Sequence, residues 1–382
     1  MFDRKIEKEL KITAEEYPVI TIIGPRQSGK TTLVRKFFSD HTYVNLENPE
    51  LRSLAKDDPK TFMLRYQAPV IFDEIQNVPE LLSWIQVFVD EKPELTGEYI
   101  LTGSHQMQLR EAITQSLAGR TALLTLFPFA LNELGESDIQ VEREHLIHNG
   151  FMPRLHDKKI RSVRFYRDYF QTYVERDVRK LMAIENQQAF ELFLKLLAGR
   201  VGSEINYSSL SGQVGISSPQ IKKWLGLLEA SFIIFKLPPF FNNFGKRLTK
   251  SPKVYFVEVG LACYLLGIET PEQLERDPAF GGLFENMVIA EAYKSRINKG
   301  LEPRLYFYRD RHQHEIDLLY PSGSSFTPIE IKSSRTYRDE FLKGIRYFQK
   351  ISDSNQPGML IYDGDLEVNK EEALVRNFRN VW

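Results

Sequence analysis

The hydrophobic pattern changes character along the chain, and each change predicts different elements. In the first third, short strongly apolar runs stand at residues 19–23 (β-branched throughout, with Thr21 among them), 70–72 and 99–101. Strands wetted on one face would alternate, so these runs predict strands buried on both faces of a parallel sheet. The stretch 32–38 predicts a helix. In the middle, residues 161–182 set Phe165, Tyr169 and Tyr173 at helical spacing with Arg164, Arg167 and Arg176 between them. That spacing predicts an amphipathic helix with its aromatics turned inward. Residues 207–215 and 220–230 predict two short helices, the second opened by Ser217, Ser218 and Pro219 and carrying Ile221, Leu225 and Leu228 on one face. Residues 232–237 and 254–257 predict strands, with Pro238 and Pro239 turning the chain between them. The last third predicts a helix over 281–298 with Phe284, Met287, Val288 and Ala292 inward, strands over 304–308, 314–320 and 326–331, a helix over 341–351 and a strand over 358–362. The whole reads as α/β.

Composition adds bounds. At 382 residues the chain is long enough for two or three domains, and its formal charge of −1 gives no general attraction to nucleic acid. A single cysteine, Cys263, excludes an internal disulfide. The start, MFDRKIEKEL, lacks the apolar core of a signal peptide, and no apolar run is long enough for a membrane span. A cytoplasmic protein without membrane contact is the expectation.

The sharpest chemical signal is GPRQSGKT, comprising Gly24, Pro25, Arg26, Gln27, Ser28, Gly29, Lys30 and Thr31, with Thr32 following. It matches the phosphate-cradling loop, and it lies between a predicted strand and a predicted helix as that loop requires. Lys30 is the candidate for the β- and γ-phosphates of ATP, and the Thr31 hydroxyl for Mg2+. Asp73 and Glu74 emerge at the carboxyl end of the second strand, where parallel sheets bind ligands. Asp73 is the candidate to hold Mg2+ through water, and Glu74 to deprotonate the attacking water. Ser104, with Thr102 behind it, is the candidate γ-phosphate sensor on a strand between the two motif strands; an ordinary turn is the alternative. Arg120 is a candidate arginine finger, in cis or in trans, or a surface ion-pair arginine. Arg26 is a further electrostatic candidate, and His105 reads as a surface histidine.

The series GPRQSGKT, VIFDEIQ, YILTGS and SLAGR resembles a large group of prokaryotic AAA+-like ATPases, and the resemblance runs the length of the chain. It implies a P-loop NTPase domain followed by a winged-helix-like module. One departure is Val257-Glu258-Val259-Gly260, where an aspartate–threonine pair is common in that group. The residues themselves support the module's shape through two helices and a two-strand wing. Lys246, Arg247, Lys250 and Lys253, with Lys222, Lys223 and Lys236, form a candidate basic patch for DNA phosphates; a protein-contacting or lid role is the alternative.

In the last third, helix, three strands, helix and strand follow the order of the PD-(D/E)xK nuclease core, a restriction-endonuclease-like fold. Glu330 and Lys332 share one strand face, and a hairpin centred on Gly323 and Ser324 would set Asp317 opposite Glu330. Asp317, Glu330 and Lys332 are candidate catalytic residues, and Glu285 could join Asp317 and Glu330 around Mg2+ or Mn2+. A half-exposed charged hairpin is the alternative. His312 and His314 alone make no zinc site.

The expected division is an ATPase domain at 1–125, a helical connector or lid at 126–200, a winged-helix-like domain at 201–262 and a nuclease-like domain at 263–382. The expected function is Mg2+-dependent ATP binding and hydrolysis coupled to DNA binding or cleavage. The alternatives are a nucleotide-gated switch for a protein or nucleic-acid partner, and a homo-oligomeric motor relying on Arg120 in trans.

Overall fold

A computed structural model describes residues 2–104, 113, 115–158, 160–178, 186–240, 251–353 and 356–381. It separates into two compact units, Met1–Phe129 with Ala230–Phe232 and Arg296–Leu301, and Ala130–Glu229 with Ile233–Ser295 and Glu302–Trp382. The connector, the two-helix module and the C-terminal sheet thus fall largely within one unit.

The first unit is built on five parallel strands: β1 (Val19–Ile23), β2 (Thr42–Asn45), β3 (Val70–Asp73), β4 (Tyr99–Gly103) and β5 (Thr121–Thr125). Their order across the sheet is β2-β3-β4-β1-β5. Every residue of β1, β3 and β4 is buried, which accounts for their strongly apolar runs. The helix Lys30–Phe37 packs Leu33 and Val34 into a core with Ile20, Ile22, Ile71, Ile100 and Leu124. Truncating one of the large aliphatics there would cost about 2–5 kcal/mol. The order puts β4 between the strand that feeds the phosphate loop and the strand that ends in Asp73, so three strand ends converge on one edge.

In the second unit the helix Ser162–Tyr169 runs on as a π-helix over Phe170–Val178. The helix expected over 161–182 therefore widens its turn from residue 170, and residues 179–185 lie outside the described residues. Phe165, Tyr169 and Tyr173 are buried and pack in sequence, the last pair with ring centres 5.3 Å apart. Helices Tyr207–Val214 and Ser218–Ala230 follow, the first capped by the Asn206 side chain accepting from the Ser209 amide at 2.9 Å. Trp224 of the second packs against Phe190 and Phe193 of the helix Gln187–Ala198. Strands β6 (Ile234–Leu237) and β7 (Lys253–Phe256) pair antiparallel.

The C-terminal sheet holds β8 (Tyr306–Arg309), β9 (Glu315–Ser322), β10 (Ser325–Lys332), β11 (Gly358–Tyr362), β12 (Val368–Asn369) and β13 (Ala373–Asn377). Its order is β12-β13-β11-β10-β9-β8, with β10, β11 and β13 mutually parallel and the other pairs antiparallel. The helix Lys343–Ser352 lays Ile345 and Phe348 on this sheet against Tyr308, Leu319, Leu360 and Val375. The last two strands were not anticipated from the sequence.

Candidate functional site

The phosphate-loop motif forms a tight turn after β1. Gly24 has φ +151°, and a Cβ there would lie 2.1 Å from the Leu126 carbonyl oxygen, so no side chain fits. Gln27 and Gly29 are also at positive φ. Left-handed residues of this kind are what an anion nest needs, and the loop leads directly into the N-terminus of the helix Lys30–Phe37. The Lys30 ammonium is buried at the mouth and donates to the carbonyls of Gly24 at 3.1 Å and Pro25 at 2.9 Å. Burial pulls its pKa down to about 8, against the opposing pull of Glu74 and Asp73.

Asp73 is held by hydroxyls. Thr31 Oγ1 donates to its two oxygens at 3.2 and 3.0 Å, Tyr43 Oη at 2.6 Å, and Thr102 Oγ1 to Oδ1. Glu74 sits in the left-handed region at φ 59° and donates its N–H to Thr102 Oγ1 at 3.2 Å. Its Oε2 accepts from Ser104 Oγ at 3.2 Å and from Gln76 Nε2. Lys30, Thr31, Asp73, Glu74, Thr102 and Ser104 are therefore one assembly. Thr32 is exposed on the first helical turn. Tyr43 and Gln76 were not singled out in the sequence. Gln76 lies two residues past Glu74, a visible signal, whereas Tyr43 enters only because β2 pairs with β3.

Arg120 is elsewhere. It precedes β5, and the register Val19↔Thr121 places it at the amino edge of the sheet, whereas the phosphate loop follows β1 at the carboxyl edge. Its guanidinium grips Asp90 through two bonds of 2.6 and 2.8 Å. The expectation of a finger acting on the same chain's site is corrected by this strand direction, and the ion-pair alternative describes the residue. His105 lies outside the described residues.

The second expected site also assembles, in a different form. The β9–β10 register pairs Leu318 with Ile329, and its next step sets Asp317 opposite Glu330. Lys332 Nζ bridges the two at 3.1 and 2.6 Å, and the Ile331 amide donates to Asp317 Oδ2 at 2.8 Å. Burial and then the Asp317 charge push the Glu330 carboxyl well above its ordinary range. Burial opposes the charge on Lys332, but Asp317 and Glu330 outweigh it and raise its pKa. Gly344 lets the covering helix press close, since a Cβ there would stand 2.1 Å from Glu330 Oε1. Glu285 has other partners: Tyr255 Oη donates to it at 2.5 Å and Lys253 Nζ at 3.2 Å. Among the described residues, no group of three His, Cys, Asp or Glu is arranged to hold a metal. Glu285, expected to join Asp317 and Glu330 around a metal, is thus engaged by Tyr255 and Lys253, and lysine ammonium groups stand among the three acids.

The basic patch changes most. Lys253 is a buried strut, pairing with Glu315 at 2.6 Å as well as with Glu285. Burial opposes its charge, yet Glu285, Asp317 and Glu315 together raise its pKa. Lys236 pairs with Glu229 at 2.7 Å, and Lys222 lies over the Tyr207 ring. Lys246, Arg247 and Lys250 lie outside the described residues. Glu258, the departure from the family pattern, is buried as the cap of the helix Val259–Leu265, accepting from the Gly260 amide at 3.3 Å and the Phe151 amide at 3.0 Å. His314 is oriented by Asp310, whose pKa is held at about 2: burial opposes this, but bonds from Tyr347, His314 and His312 prevail.

Comparison with known proteins fits the first of these sites. Residues 16–135 match an AAA domain. The matched segment spans the phosphate loop, Asp73, Glu74 and Ser104. Residues 141–272 and 280–379 match two families each described as a domain of unknown function (DUF8612 and DUF4143). Uncharacterized proteins of Mycobacterium bovis and Mycobacterium tuberculosis are each 29% identical over 339 residues, covering 87% of this chain and 74% of each relative. An uncharacterized protein of Haemophilus influenzae is 20% identical over 301 residues, covering 71% of this chain and 73% of that protein. Among solved structures, a Thermotoga maritima RuvB variant gives a TM-score of 0.32 at 18% identity, covering 62% of this chain and 90% of that one. AMPPCP-bound DnaA from Aquifex aeolicus gives 0.28 at 12%, covering 59% and 85%. These scores are too low to relate the whole chain to either. Among the described residues no helix is long and apolar enough to cross a membrane.

Proposed function

We propose that the AAA-type domain binds ATP with Mg2+ and hydrolyses it. The observation that carries this reading is the meeting of the Thr31 hydroxyl with the Asp73 carboxylate, 3.0 Å apart, at the mouth of the loop. Both are hard oxygen donors, the chemistry that suits magnesium. They would hold the ion, whose charge offsets that of the β- and γ-phosphates. Lys30 exchanges its bonds to two loop carbonyls for bonds to phosphate oxygens. Glu74 takes the proton of the attacking water, while Ser104 and Gln76 fix its carboxylate. Calorimetry with ATP at millimolar Mg2+ should give a clear binding heat that Lys30→Ala abolishes. Glu74→Gln should bind ATP yet hydrolyse it about 10²–10⁴-fold more slowly. Folded wild-type protein giving no binding heat would refute the reading.

A second reading concerns the C-terminal sheet, where the Asp317–Glu330 register supports phosphodiester cleavage with Lys332 as the activating cation. Two facing carboxylates of which one resists ionisation suit a single divalent ion, provided Lys332 yields its place. Incubating the protein with DNA and Mg2+ or Mn2+ should then yield cuts that Lys332→Ala removes. Retained DNA binding without cutting would leave a nucleotide-gated binding role for this region.

A further inference from the structure

We propose that Arg4 is a positioning residue for the phosphate loop, fixing from behind the peptide whose N–H faces the phosphates. The inference rests on the ATP reading of that loop. Arg4 lies in the turn before the helix Glu7–Glu16 and is only 8% exposed. Its Nη1 donates to the Ser28 carbonyl at 2.9 Å and its Nη2 to the Phe127 carbonyl at 2.7 Å. The guanidinium lies over the Phe129 ring, 4.8 Å from its centre. Planar stacking and a two-pronged donor are properties of arginine that lysine lacks.

The consequence follows from peptide geometry. The Ser28 carbonyl and the Gly29 N–H belong to one planar trans unit and point in opposite directions. Drawing the carbonyl toward Arg4 turns the Gly29 N–H the other way, toward the concavity at the start of the helix Lys30–Phe37. The same flank fixes the other end of the loop. The Leu126 amide donates to the Ile23 carbonyl at 2.8 Å, and the Leu126 carbonyl is the group that leaves no room for a side chain at Gly24. Arg4 thus ties Ser28 to the strand exit that already holds Gly24. Its positive charge also sits behind a loop meant for a polyanion.

Calorimetry of the full chain with ATP and Mg2+ tests this. Arg4→Met keeps bulk and loses both bonds, and should weaken ATP binding by about tenfold or more. Arg4→Lys keeps the charge without the fork and should weaken it by less. KM for ATP should rise in both while kcat holds, because Asp73 and Glu74 are untouched. A merely structural role would lower the melting temperature without moving the ATP Kd measured on the folded protein. Kd values for both variants within about twofold of wild type would overturn the proposal. If Arg4→Met does not fold, Arg4→Lys decides by the same criterion. Absence of binding by the wild type would instead sink the ATP reading itself, so the two failures are distinguishable.

Discussion

Two pairs of acidic residues sit at strand ends in this protein, and they are held by opposite means. Asp73 accepts from three hydroxyls, those of Thr31, Tyr43 and Thr102. Hydroxyls orient a carboxylate without cancelling its charge. The Lys30 ammonium is turned to the carbonyls of Gly24 and Pro25. Asp317 and Glu330 instead share the ammonium of Lys332, and Lys253 joins Glu285 to Glu315 nearby. The first arrangement keeps a negative charge oriented for a cation that arrives with a ligand. The second supplies its own cation. Equal numbers of strand-end carboxylates therefore do not make equal sites; the chemistry of what holds them decides which is primed for an external ion.

The largest effect that would break this comparison is at Lys332. Asp317 and Glu330 are buried but Lys332 is 32% exposed, so removing its ammonium leaves a partly screened charge and costs about 1–3 kcal/mol, less than in a fully buried pair. Lys332→Met should lower denaturant-unfolding stability by that order at neutral pH. The sign with pH follows from the directions of the shifts. Asp317 is held below its ordinary range: burial opposes this, but Lys332 and Lys253 outweigh it. Its contribution is present above the ordinary carboxylate pKa and fades as pH falls through the lowered one. Lys332 is raised, so its contribution is complete below the ordinary lysine pKa and fades only as pH climbs through the raised value. The penalty of Lys332→Met should thus shrink toward strong acid and grow as pH climbs through about 8, where the raised Glu330 carboxyl gives up the proton it still holds at neutral pH. An unchanged unfolding midpoint would mean that Asp317 and Glu330 are not held by that ammonium in solution.

Much of the first unit could be read from the chain because its signals are local. Strongly apolar runs marked β1, β3 and β4, and GPRQSGKT between strand and helix marked the loop. The β9–β10 hairpin was legible too, since its alternation and its turn at Gly323 fix the register. Other features depend on which distant side chains meet. Tyr43 reaches Asp73 across the β2–β3 pairing, and Arg4 reaches Ser28 and Phe127 from the turn before the first helix. Lys253 stood in a basic run with Lys246, Arg247 and Lys250, yet it belongs to a strand whose every residue is buried. A lysine beside Val254, Tyr255 and Phe256 was a hint that it would need acidic partners. Arg120 was left open between a finger and a surface ion pair for want of one rule: a residue just before a parallel strand and a residue just after its neighbour lie at opposite edges of the sheet. Strands β12 and β13 are short, and only two positions of β13 are buried, so no run announced them.

A smaller effect sharpens the other half of the comparison. Tyr43→Phe removes one hydroxyl and almost nothing else, since the ring keeps its place beneath the Arg35 guanidinium, 4.8 Å from its centre. The lost bond, 2.6 Å to Asp73 Oδ2, is a charge-assisted one, but Thr31 also donates to that oxygen and Thr102 to its partner. The net loss should therefore fall below the usual range for charge-assisted bonds, at about 1 kcal/mol. It should appear as a roughly fivefold rise in the Mg2+ concentration needed for half-maximal ATP binding, with the melting temperature of the nucleotide-free protein almost unchanged. Tyr43 serves Asp73 by fixing the orientation in which the carboxylate would meet a cation, and the Mg2+ dependence reads that orientation out. Equal Mg2+ dependence in the two proteins would show that Thr31 and Thr102 alone set that orientation, and the hydroxyl-held carboxylate would then need one fewer hydroxyl than the structure gives it.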